Sequence, residues 1–188
     1  MTLVNEHVNG EITSIKPDKK QAYSYLRNKA VQFTPSHLAC QFACGGSSCK
    51  YCNDIAWTEK QQVIKGLYSN WINEDILAMA RPIEPNIIKH DMIKQFRENN
   101  IVSLINLQVA GEHSKCGSYM HKSGFSYDPE MFMKQKIFYY NFPMQDFDST
   151  DVQGLLSIAK VIHFAVQQGK VAIHCHAGLG ILDKLYET

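Results

Sequence analysis

Val171-Ala-Ile-His-Cys175-His-Ala-Gly-Leu-Gly180 decides how the rest of the chain is read. Val171, Ala172 and Ile173 are apolar and β-capable, so they read as a buried strand with His174 and Cys175 at its end. A turn bearing Gly178 and Gly180 follows, and then a short apolar-periodic tail. Strand, cysteine, glycine loop and helix start together make the plan of an anion-binding catalytic site. Backbone N–H groups in such a loop converge on one spot, and a following helix N-terminus adds its positive end. A cysteine at the lip of that nest has its thiolate stabilised and becomes a nucleophile at neutral pH.

Working outward, the segment before this strand predicts a helix over about 151–168, closed by Gly169. Val152, Leu155, Leu156, Ala159, Ile162 and Val166 recur in it at helical spacing. Ile137-Phe-Tyr-Tyr-Asn-Phe142 predicts an aromatic strand ended by Pro143, and 108–124 a loop punctuated by Gly111, Gly117 and Gly124. Ile101 to Leu107 is nearly all apolar, the pattern of a strand buried on both faces. Pro85 to Glu98 predicts one helix with Ile88, Met92 and Phe96 on a stripe, ending at Asn99-Asn100. Ile64 to Trp71 and Ile76 to Met79 read as strand or strand-and-turn.

Helices alternating with strands imply an α/β fold, a mostly parallel central sheet flanked by helices. Ligands in such sheets gather at the carboxyl ends of the strands. The ends after Leu107, Phe142 and Cys175 therefore share one face, which makes Glu112, His113, Asp146, Asp148 and the glycine loop neighbours. A thiolate in that nest attacks phosphorus, and a loop aspartate protonates the leaving oxygen. Asp146 is the choice for that role; Asp148 is equally placed to cap the next helix. The ring of His176 either lines the pocket or faces solvent.

The stretch resembles the signature loop of the cysteine-dependent protein tyrosine and dual-specificity phosphatases: His-Cys, five residues, Arg, then Ser or Thr. The likeness runs from about His37 to Gly180. It includes Ile64-Lys-Gly-Leu-Tyr-Ser-Asn-Trp71, Ile76-Leu-Ala-Met-Ala-Arg-Pro82, Leu104-Ile-Asn-Leu-Gln108 and Gly111-Glu-His113. The resemblance implies that Cys175 is the nucleophile that becomes a phosphocysteine. It makes Asp146 the general acid, although Met144 stands where the family has tryptophan, two places before it. It makes the backbone of His176, Ala177, Gly178, Leu179 and Gly180 the phosphate cradle, and a phosphorylated protein the substrate.

One departure matters for the chemistry. Ile181 occupies the arginine position and Leu182 the Ser/Thr position. A guanidinium clamps phosphate through two N–H groups, and neither Ile181 nor Lys184 reproduces that clamp. The sequence therefore reads as a phosphatase domain over 35–188, lacking its C-terminal helices and cut within the signature loop. A polar N-terminal arm precedes it over 1–34, mobile by composition. Activity of this form is expected to be impaired, with a phosphate-binding or partner-binding pseudophosphatase as the alternative.

Cys40, Cys44, Cys49 and Cys52 suggest a further class, a zinc-binding structural module. Their number fits zinc, but only Cys49-x2-Cys52 has knuckle spacing. The spacing favours reduced cysteines in a compact loop, some buried as small hydrophobes, and no metal or other cofactor is assigned to the catalytic site. A formal net charge of +1 over 188 residues favours neither a nucleic-acid nor an acidic-membrane partner. With no run of about 18 apolar residues and no signal-peptide pattern, the expectation is a cytoplasmic protein.

Overall fold

A computed structural model describes residues 44–117, 120–144 and 152–178. All of these belong to the unit Thr34–Thr188. The N-terminal arm, Cys40, Asp146, Asp148, Leu179, Gly180, Ile181 and Leu182 lie outside the described residues.

The described strands form a five-stranded sheet. β1 (Ser69–Trp71) and β2 (Ile76–Met79) make an antiparallel hairpin, whose turn is tied by Asn73 Oδ1 accepting from the N–H groups of Asp75 and Ile76. α1 (Glu84–Lys89) and α2 (Met92–Glu98) lead to β3 (Ile101–Asn106). The short α3 (Glu130–Met133) precedes β4 (Phe138–Asn141), and α4 (Val152–Val166) precedes β5 (Lys170–His174). The order across the sheet is β1-β2-β5-β3-β4, with β2, β5, β3 and β4 parallel. The α/β fold with a mostly parallel sheet read from the sequence is the fold observed. The last of the described strands in sequence is the middle one in space, which buries Val171, Ala172, Ile173 and His174 completely.

Successive strand residues point to opposite faces. Leu77, Met79, Leu104 and Ala172 face a core completed by Ile87, Met92, Phe96 and Phe132 of α1, α2 and α3. Ala78, Ile105, Val171 and Ile173 face the other way, against Ala165, Ile162 and Val166 of α4. Register aligns the parallel strands at their carboxyl edge: Met79 and Asn106 both pair with His174. Cys175 therefore leaves the sheet at the edge where ligands collect.

Two expectations are corrected. The helix over 85–98 is two helices, because Asp91 takes a left-handed conformation (φ 47°) between them. The break shifts the phase of the apolar stripe, so Ile87 is buried beside Met92 and Phe96 while Ile88 is 66% exposed. The stripe of α4 is narrower than its spacing implies: Ile162, Ala165 and Val166 pack on the sheet, whereas Leu155 and Leu156 are exposed. Asn100, at φ 56°, ends α2 as an αL residue, as its position after the helix leads one to expect.

Candidate active site at the carboxyl edge of the sheet

Cys175 continues β5 beyond its last ladder residue and is partly exposed. The chain then turns sharply, and the N–H of Gly178 points back at Cys175 Sγ, 3.3 Å away. That geometry is how a backbone nest holds a thiolate. Gly178 is required here. Its φ is 78°, and a Cβ would stand 2.5 Å from the carbonyl carbon of Met79. The loop is also laced to the strand end on β2, where Arg81 N–H donates to the carbonyl of His176 at 3.2 Å.

His174 anchors the loop from below. Its ring is fully buried and its Nε2 lies 2.7 Å from the Tyr127 hydroxyl. Nδ1 lies 3.3 Å from the carbonyl oxygen of Cys175. The consistent proton assignment has Nδ1–H donating to that carbonyl and Tyr127 O–H donating to Nε2. Burial pushes His174 down to about 3, so the imidazole is neutral at physiological pH. Burial raises Tyr127 as well, and it remains a phenol. Nearby, the Tyr139 hydroxyl accepts from Asn106 Nδ2 at 2.9 Å.

Of the two positions expected for it, the side chain of His176 does not face solvent. It is buried beneath the loop and stacks on His113, with ring centroids 3.7 Å apart and planes 8° from parallel. Its Nε2 lies 3.5 Å from Cys49 Sγ. His113 does meet His176 of the glycine loop, as the strand ends implied, while Glu112 meets His113, both beside a sulfur-rich cluster. His113 takes a left-handed backbone (φ 52°), a conformation that costs a bulky residue of order 1–3 kcal/mol. In it Nδ1 stands 3.6 Å from Cys44 Sγ and 3.9 Å from Cys116 Sγ, while Nε2 meets Glu112 Oε1 at 3.2 Å. The Cys49 thiol interacts with Cys116, Cys44 and Cys52, which hold it well below the ordinary thiol value, and Cys52 is pushed up in turn. One thiolate shared among neighbouring S–H donors accounts for both directions.

Arg81 borders the same cluster. It is the largest fully buried side chain among the described residues, and its Nη2 donates to Cys52 Sγ, the His113 carbonyl and the Cys116 carbonyl at 3.4, 3.3 and 2.5 Å. Among the described residues no carboxylate pairs with it. Of this arrangement the sequence reading named Cys44, Cys49, Cys52, His113 and His176. It missed Cys116, Arg81 and Tyr127, which lie far from the signature loop in sequence and carry no local spacing signal. A groove of about 600 Å³ lined by Trp71, Asn73, Glu74, Asp75 and Lys170 opens where β5 begins, opposite the Cys175 end.

A thiol at the carboxyl end of the central strand of a mostly parallel α/β sheet, followed by a glycine turn whose N–H meets its sulfur, is the arrangement that the resemblance to the phosphatase signature loop leads one to expect. No protein-family model matches the chain. It is 47% identical over 159 residues to protein tyrosine phosphatase domain-containing protein 1 of Bos taurus, covering 84% of this chain and 20% of that protein. The same protein of Danio rerio is 48% identical over 147 residues, covering 78% of this chain and 21% of the relative. The chain is homologous to these protein tyrosine phosphatase domain-containing proteins and spans about a fifth of their length. Among solved structures, Tk-PTP in its active form is 20% identical with a TM-score of 0.44, covering 59% of this chain and 63% of that one. A mutant form of Tk-PTP is 19% identical with a TM-score of 0.42, covering 58% and 61%.

Proposed function

We propose that Cys175 is the nucleophile of a protein phosphatase of the tyrosine or dual-specificity type, acting on phosphorylated proteins. The observation that carries this reading is the Gly178 N–H aimed at Cys175 Sγ from the turn after the central strand. The thiolate attacks phosphorus, an S–P bond forms, and the ester P–O bond breaks. The leaving oxygen takes its proton from Asp146. Water then attacks the phosphocysteine, Asp146 takes the water proton, and the S–P bond breaks to release inorganic phosphate and the thiolate.

Backbone N–H groups from His176 to Gly180 cradle the phosphate oxygens. Ile181 supplies no cation where the signature has arginine, so the charge that develops in the transition state is under-stabilised. Losing one such electrostatic partner costs about a hundred- to a thousandfold in rate. The chain is therefore a slow catalyst, and the Ile181 position favours phosphate binding without efficient turnover as the second reading. No helix among the described residues is long and apolar enough to cross a membrane; a cytoplasmic site of action is part of this proposal.

The test is hydrolysis of an aryl phosphate by the wild-type chain, Cys175→Ser and Ile181→Arg. Cys175→Ser is expected to abolish turnover and Ile181→Arg to raise it by about a hundredfold or more. Turnover that persists in Cys175→Ser overturns the assignment of the nucleophile. Phosphopeptide binding with no hydrolysis by either the wild-type chain or Ile181→Arg favours the second reading.

A further inference from the structure

We propose that this chain binds a structural zinc ion at Cys44, His113, Cys116 and His176, with the Cys49 thiol adjoining. One ligand atom from each of the four residues lies within 4.8 Å of the others. A tetrahedral zinc, with Zn–S near 2.3 Å and Zn–N of about 2.0–2.1 Å, places its sulfur and nitrogen ligands about 3.6 Å apart. The 3.6 and 3.9 Å separations of His113 Nδ1 from the two sulfurs match that edge. Paired thiolate and imidazole donors select zinc over calcium or magnesium.

Two further features fit a metal. Glu112 Oε1 takes the Nε2 end of the His113 ring, which directs Nδ1 at the thiols, the carboxylate–histidine arrangement that orients metal ligands. His176 Nδ1, on a ring only 4% exposed, has no hydrogen-bond partner among the described residues. Two thiolates and two neutral imidazoles around Zn²⁺ are neutral overall, so the metal adds no net charge to this buried cluster.

The loops are shaped for the contact. Gly117 N–H donates to the Gly46 carbonyl at 3.3 Å, joining the two cysteine loops. A Cβ on Gly117 would stand 2.8 Å from Cys52 Cβ, so only glycine permits the approach. The donors come from three segments: the loop at 44–52, the loop after β3, and the residue after Cys175. This differs from the set within Cys40 to Cys52 that the sequence suggests. Binding releases the protons of the Cys44 and Cys116 thiols to solvent, and it fixes His176, the first residue of the phosphate cradle.

The experiment is metal analysis of the full chain purified without chelator, followed by exchange with Co²⁺. About one zinc per chain is expected, together with the visible absorption and sulfur-to-cobalt charge-transfer band of a tetrahedral thiolate site. Cys116→Ser and His113→Gln are expected to lose most of the metal, while Cys175→Ser retains it. Under half an equivalent of zinc with no cobalt–thiolate band in the wild-type chain overturns the proposal, whether or not the variants fold. So does a disulfide joining Cys116 to Cys44 or Cys49 in the purified chain. Metal retained in full by both ligand variants, or lost in Cys175→Ser, overturns the assignment of the ligands. None of these readouts depends on phosphatase activity.

Discussion

Tyr127 and His174 show how a single residue fixes the site. Tyr127 O–H donates to His174 Nε2, and the other ring nitrogen holds the Cys175 carbonyl. Tyr127→Phe keeps the ring packing but leaves Nε2 buried without a donor. Such an orphaned polar atom costs about 1–3 kcal/mol, so the urea midpoint is expected to fall with an unchanged slope. A midpoint equal to that of wild type would show that the hydrogen bond carries no weight. The histidine was legible from its place beside Cys175, whereas its partner was not. Tyr127 follows a loop 47 residues earlier, and no local pattern connects the two. His176 makes the same point in reverse: the type of residue was visible, but its direction depends on Cys49 and His113, which arrive from elsewhere.

At the scale of elements, the boundary between α1 and α2 is where sequence periodicity misleads. A continuous helix would put Ile88 in phase with Met92 and Phe96; the left-handed Asp91 resets the phase and turns Ile87 inward. Ile87→Ala is expected to cost about 2–5 kcal/mol as a buried truncation. Ile88→Ala, on the exposed side, should stay within about 0.5 kcal/mol of wild type. Chemical denaturation of the two variants decides it, and equal losses would mean one unbroken helix. β3 and β5 were legible because a strand buried on both faces is apolar at nearly every position. β4 was legible for its aromatic content, although it is an edge strand of the described sheet with Phe138 exposed.

At the scale of the whole molecule, the cysteine-bearing N-terminal loop is tied to the helical layer through Asp54. Its carboxylate meets Lys89 Nζ at 2.6 Å and His90 Nε2 at 2.7 Å at the end of α1. Lys89 first, and His90 second, hold Asp54 below the usual carboxylate value. A folded pKa below the unfolded one, about 3.9, means that the ties stabilise fully above that value and fade as pH falls through the folded one. Lys89 is largely exposed, so the effect is no more than about 1 kcal/mol. Stability measured against pH should show wild type above Asp54→Asn near neutrality, with the curves converging in acid. A gap that persists below the folded pKa would assign the effect to packing instead.

The sequence by itself determined the α/β alternation, the strand that delivers Cys175, and the glycine turn after it. Those features are local: side-chain period, backbone permissiveness and buried strand composition act within a few residues. Only the tertiary structure decided that β5 is central and that Gly178 packs on Met79. It also decided that His176 turns beneath its loop to meet His113 and Cys49, and that Cys44, His113 and Cys116 converge beside it. Those arrangements join segments tens of residues apart, and they exist only once the sheet has aligned its strand ends.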